Sequence, residues 1–187
     1  RTLLSDPDRG TWAWFHDALG QVAVQADARG LNTFYWYDSI GRMVARWAPD
    51  ASLAANTGVQ DAWVYDIAGY GLGKEAIAYR ATNDRTGLGW AMHYVRYSLY
   101  DQYQRPMATQ EQADAQLAYL APTVYTYNSD GRVATKVSPS GLKLQYNYSL
   151  TNNFLISIVD GDTPSTVFWT PNTIDAAGRV TADTIGA

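Results

Sequence analysis

Catalysis needs a nucleophile with its base, a carboxylate pair or a metal cluster, and few residues here stand at such spacings. His16 and His93 belong to neither a His-x-x-x-His nor a His-Glu-x-x-His pattern, so they do not read as metal ligands. His93 lies in Trp90–Tyr97 on the strand face shared with Val95, Tyr97 and Leu99, which reads as a packed or hydrogen-bonded strand residue. The absence of cysteine excludes a thiol nucleophile, a thiolate metal site and a disulfide scaffold. No Gly-x-Ser-x-Gly elbow is present. The stretch from Gly69 to Lys74 has Ala68 where a phosphate loop needs Gly and Glu75 where it needs Ser or Thr, so it reads as a glycine-rich connection. Asp160-Gly161-Asp162 lacks the rest of a calcium loop and reads as a turn. A glycosidase pair stays open among the 16 Asp, but the only Glu residues, Glu75 and Glu111, stand in no recognisable setting. No catalytic, cofactor-binding or metal-binding residue is assigned.

Aromatic side chains are the other candidates. Trp12, Trp14, Trp36 and Trp90 could offer flat rings to a glycan, as on a carbohydrate-binding or adhesion module. The same rings at strand positions could instead fill a β core.

The elements that would position these groups are legible in the charged set. Asp outnumbers Glu 16 to 2 and Arg outnumbers Lys 11 to 3, so the good helix formers are scarce and the turn former is abundant. Asp-x-x-Gly occurs six times, where roughly one would arise by chance. The pairs are Asp17 with Gly20, Asp27 with Gly30, Asp38 with Gly41, Asp66 with Gly69, Asp84 with Gly87 and Asp175 with Gly178. Asn128 with Gly131 is a seventh with Asn in first place, and Ser138 with Gly141 is a relative with Pro139 second. This is the pattern of a type I turn closed by a bulge at the Gly. Aromatic runs such as Thr33–Tyr37 and Thr123–Tyr127 precede the turns, and Arg42–Ala45, Arg132–Thr135 and Arg179–Ala182 follow them. Strand, tight turn, strand is a hairpin, so the chain reads as all-β.

Two stretches break the pattern. Residues 50–61 read as a loop, and residues 107–121 as a short helix near 109–119, capped by Thr109 and Gln112 and stopped by Pro122. No linker divides residues 1–187, which read as one domain or one slab of a larger chain. The start at Arg1, with neither Met nor an apolar leader, fits an excised segment. A net charge of −4 disfavours nucleic-acid and anionic-membrane partners. No apolar run is long enough for a membrane-spanning helix.

The strings Phe34–Val44 and Tyr125–Val133 resemble YD repeats, the Tyr-Asp-x-x-Gly-Arg units of the RHS family. Asp27–Thr33, Val137–Gly141, Asp6–Gly10 and the stretch from Tyr65 to Lys74 resemble further segments of that family. The likeness covers nearly the whole chain. It departs at His16, which replaces Tyr, at Gln104, which replaces Gly, and at Asn128, which replaces Asp.

The resemblance implies a curved strip of antiparallel hairpins within an RHS-type β-shell, as in Tc toxins, type VI effectors and polymorphic toxins, with teneurins related. It implies a non-catalytic, cofactor-free segment of an exported bacterial protein, secreted or carried to the cell surface by a secretion system. Its implied partners are the rest of the shell and an encapsulated C-terminal toxin. Exposed sheet edges would favour self-association.

Overall fold

The computed structural model describes residues 2–50, 57–83, 91–113 and 120–186. Among the described residues the secondary structure is β throughout, with no helix. The strands are β1 (Leu3–Asp6), β2 (Gly10–His16), β3 (Val22–Ala26), β4 (Asn32–Tyr37), β5 (Met43–Pro49), β6 (Gly58–Tyr65), β7 (Glu75–Asn83) and β8 (Ala91–Tyr100). They continue with β9 (Pro106–Ala113), β10 (Thr123–Tyr127), β11 (Val133–Val137), β12 (Lys143–Tyr148), β13 (Leu155–Asp160), β14 (Val167–Ile174) and β15 (Val180–Ile185). Strand order follows chain order, and the strand pairs are antiparallel. Where the connection is a tight turn, it can only return the chain beside the strand it left.

The helix expected near 109–119 does not form where it is described. Residues 109–113 belong to β9, whose Thr109 and Ala108 pair with Thr123 and Val124 of β10. A weak helix preference yields to a neighbouring strand that satisfies the same backbone groups. Residues 114–119 lie outside the described residues.

The chain forms two compact units, Arg1–Ser98 with Glu111–Ala118, and Leu99–Gln110 with Tyr119–Ala187. In the first unit the two sheet faces differ chemically. Cross-strand partners share a face, so Tyr35, Arg46, Asp61, Arg80 and Tyr94 form one row over five strands. Asp61 accepts from both Arg46 and Arg80, and Arg96 pairs with Glu75 at 2.7 Å. Burial pushes the Asp61 carboxyl up, but the two guanidinium groups outweigh it and hold it below its ordinary range.

The opposite row, Phe34, Trp47, Gln60 and Ala81, carries no charge. Trp47 is buried, its ring 5.9 Å from that of Phe34. The Trp47 indole donates to the buried Asn83 amide oxygen at 2.9 Å, and the Asn83 amide donates to Gln60 at 2.5 Å. That chain of bonds satisfies polar groups that would otherwise be costly to bury.

The second unit is stitched by neutral polar side chains. Gln145 donates to Asn147, Asn147 donates to Ser157, and the Thr126 and Thr135 hydroxyls lie 2.7 Å apart. Val159 is its one buried apolar residue among those described.

Candidate functional site

The repeated turn is best seen at Asp38. The Asp38 N–H donates to the Arg42 carbonyl at 2.9 Å, and the Gly41 N–H donates back to the Asp38 carbonyl at 3.1 Å. Gly41 has φ +87°, the left-handed conformation that a type I turn with a bulge requires. The strand pairing slips between Trp36 and Tyr37 to admit the extra residue. One carboxylate oxygen of Asp38 accepts the N–H groups of Ile40 and Arg42, and the other accepts Arg42 Nε at 2.7 Å. Burial raises the Asp38 pKa, but the Arg42 guanidinium and these backbone donors outweigh it, leaving the carboxyl below its usual value.

The same backbone pattern recurs with a glycine at five other places. The Gly20 N–H donates to the Asp17 carbonyl at 3.1 Å, and the Gly30 N–H donates to the Asp27 carbonyl at 2.9 Å. Gly131, Gly141 and Gly178 donate in the same way to Asn128, Ser138 and Asp175, and all five glycines have positive φ. At Asn128 the side-chain amide oxygen accepts the two backbone donors as Asp does elsewhere. Asp160 likewise closes a turn by accepting from Asp162 and Thr163.

Two turns depart from the sequence pattern. Asp66 and Gly69 do not form the expected Asp-x-x-Gly turn. The Asp66 N–H instead donates to the Lys74 carbonyl, closing a longer loop in which Gly73 takes φ +80° and donates to the Asp66 carboxylate at 2.6 Å. Arg42, from the neighbouring hairpin, holds the same carboxylate at 2.5 Å. Conversely, Asp101 forms the full turn although Gln104 stands where Gly is expected. Gln104 adopts φ +61°, and Arg105 binds Asp101 through Nε at 2.7 Å. Asp84 and Gly87 lie outside the described residues.

Joining successive hairpins is a relay that the sequence motifs alone do not disclose. At four turns the closing residue is followed by a residue whose carbonyl accepts the phenol of a Tyr ending a strand of the next hairpin. Tyr37 donates to Val22 at 3.0 Å, Tyr65 to Met43 at 3.2 Å, Tyr127 to Pro106 at 2.5 Å and Tyr148 to Val133 at 2.9 Å. The closing arginine lies over the same ring, with Arg42 4.4 Å from the Tyr65 centroid, Arg105 4.1 Å from Tyr127 and Arg132 5.3 Å from Tyr148.

At three turns the closing residue of the preceding hairpin also covers the glycine. A Cβ on Gly41 would sit 2.8 Å from Gln21 Nε2, and one on Gly178 2.8 Å from the Phe154 ring. At Gly131 the neighbour is Arg105, at 3.3 Å. Gly at these places therefore serves both the turn and the contact between hairpins. Gly20 and Gly30 differ from them, although the sequence pattern groups all five together. Both are exposed, and a Cβ on either would meet nothing within 4 Å. Gly20 (φ +80°) and Gly30 (φ +78°) are thus required by turn geometry alone and join no junction between hairpins. The signal for the relay in the sequence was the Tyr before the Asp and the Arg after the Gly. Their partners are 15 to 22 residues away.

The tryptophans do not assemble into one platform. Trp14 shares a face with Gln25, Thr33 and Tyr35, whereas Trp36 lies on the opposite face beside Phe34. Trp12, on the face of Trp14, donates its indole N–H to the Arg9 carbonyl, and Trp90 lies outside the described residues. His93 is the extra residue of a bulge, with its Nε2 3.1 Å from the Thr82 hydroxyl. Among the described residues no group of His, Asp and Glu could hold a metal ion. A groove of about 320 Å³ beside Asp61, Trp63, Tyr94 and Arg96 is walled by charges already paired with one another. No helix of the described residues is long and apolar enough to cross a membrane.

No family model and no curated protein sequence matches the chain. Among solved structures it is similar to the crystal structures of TcdB2-TccC3-Cdc42 and TcdB2-TccC3-TEV, at 12% and 13% identity, each with a TM-score of 0.36 over 96% of this chain. A third, TcdB2-TccC3, is 11% identical with a TM-score of 0.32. The chain spans 12% of the length of those chains.

Proposed function

We infer that this chain is a wall segment of an RHS-type shell, one that sequesters a toxic polypeptide until an exported bacterial protein delivers it. The relay between hairpins carries the reading. At four junctions its components hold one hairpin to the next, which suits a wall. In the first unit, the division between a charge-laddered face and an uncharged face also suits a sheet with two different surroundings. Catalysis is assigned to no residue of the segment.

The test is limited proteolysis of the whole parent protein. The polypeptide that follows the shell should persist while the wall is intact and become cleavable when Gly41→Val and Gly131→Val open neighbouring hairpins. Cleavage of that polypeptide at the same rate with and without the wall overturns the reading.

A further inference from the structure

The groove on the charged face of the first unit takes no part in the relay. Strand register sets out its lining as two rows across β6, β7 and β8. Asp61, Arg80 and Tyr94 form one row, and Trp63, Ala78 and Arg96 form the other. Cross-strand partners share a face, so all six side chains belong to the same side of the sheet. Five of them are large, and the sixth, at the centre of the second row, is a buried alanine. With adjacent strands roughly 4.8 Å apart, the Trp63 and Arg96 backbones stand roughly 10 Å from each other across it. The groove of about 320 Å³ therefore has a methyl group for its floor, an indole on one side and guanidinium groups on the others.

Its polar wall is neutral as a whole. Asp61 lies between Arg46 and Arg80, Arg96 pairs with Glu75, and Glu111 is within electrostatic reach of Tyr94 and Arg96. Three guanidinium groups thus meet three carboxylates. An anion entering the groove would be repelled by Asp61 and Glu75, and a cation by the arginines, so the wall selects against both. Its members still have hydrogen-bonding capacity. Arg80 meets Asp61 through Nε at 2.7 Å, and its side chain is 53% exposed. A guanidinium carries five N–H donors and a carboxylate about four acceptor sites, more than these pairs use. We propose that this groove binds a neutral sugar of one or two pyranose rings. The C–H face of the ring packs against Trp63 over Ala78, as an apolar surface suits an indole. Sugar hydroxyls, which donate and accept at once, bridge Arg80, Asp61 and Tyr94. The proposal stands on the groove and not on the relay, so it holds or fails separately from containment.

Maltose, cellobiose and lactose are titrated into the 187-residue chain and followed by saturation-transfer difference NMR. Saturable binding with a dissociation constant on the order of millimolar is expected for at least one of them. Transfer should be strongest to the C–H protons of one ring face. Ala78→Leu, which keeps every polar group and fills the floor, should abolish binding. Arg80→Gln should weaken it roughly three- to tenfold, and circular dichroism of that variant should match the parent because the side chain is largely exposed. Absence of saturable binding by all three sugars overturns the proposal. So does binding that survives both substitutions, which would place the sugar on another surface. Displacement of the sugar by an equal concentration of sulfate would mark an anion site and also overturn it.

Discussion

Arg42 and Arg132 close equivalent turns and lie over equivalent tyrosines, yet their electrostatic settings differ. Arg42 binds Asp38 within its own turn and Asp66 in the next hairpin, while covering Tyr65. At the Arg132 turn Asn128 stands where Asp38 stands in the other, so no carboxylate occupies that position, and Arg132 covers Tyr148 at the longer distance of 5.3 Å. Both junctions nevertheless keep the phenol-to-carbonyl bond. The comparison separates a constant part of the relay, made of backbone turn and tyrosine, from an ionic part that one hairpin has and another omits.

The constant part should dominate stability. Gly41→Val forces a β-branched residue into φ +87° against Gln21, with an expected loss of about 2–3 kcal/mol in chemical denaturation. An unchanged midpoint would show that the turn is not tightly held. The mirror experiment is Gln104→Gly, which relieves a side chain held at φ +61° and should stabilise by about 1 kcal/mol. Destabilisation would mean that the Gln104 side chain contributes more than its backbone strain costs.

Removing only the phenol oxygen, by Tyr127→Phe, should cost about 1 kcal/mol through the lost bond to Pro106. Parental stability in that variant would demote the phenol-to-carbonyl bond from the shared framework.

The smallest effects should distinguish the two arginines. Asp66 is held below its ordinary pKa by the Arg42 guanidinium and the Gly73 N–H, and Asp38 is net depressed as well. Groups depressed in the folded state stabilise it fully above their unfolded pKa of about 3.9, and that contribution is lost as pH falls through the lower folded value. The destabilisation by Arg42→Ala should therefore be visible at neutral pH and shrink in acid. Arg132→Ala, beside the non-titrating Asn128, should show a smaller and flatter dependence. Matching pH profiles measured by thermal unfolding would erase the proposed contrast.

Much of the local design was readable from residue types. Asp-x-x-Gly spacing located the turns at Asp17, Asp27, Asp38 and Asp175, because an Asp carboxylate bonds to backbone only two to four residues on and Gly alone takes a positive φ without strain. What the spacing did not reveal is that Gly41 is covered by a neighbouring hairpin while Gly20 and Gly30 stand open, since the covering side chain comes from a distant part of the chain. The same reasoning misplaced the Asp66 turn, which closes on Lys74 and carries a carboxylate bound by Arg42 from 24 residues back. It also overvalued the helical character of residues 109–113, where pairing with β10 decided the outcome. The candidate aromatic platform was split because strand register sends Trp14 and Trp36 to opposite faces.

The sequence by itself determined that this chain would be strands joined by tight aspartate- and glycine-rich turns. Only the tertiary structure decided which Tyr meets which carbonyl, which Arg covers which ring and which turn aspartate bridges two hairpins. Turn chemistry acts over a few bonds and leaves its mark in adjacent residues. The relay acts across space between segments whose proximity exists only once the sheet has formed.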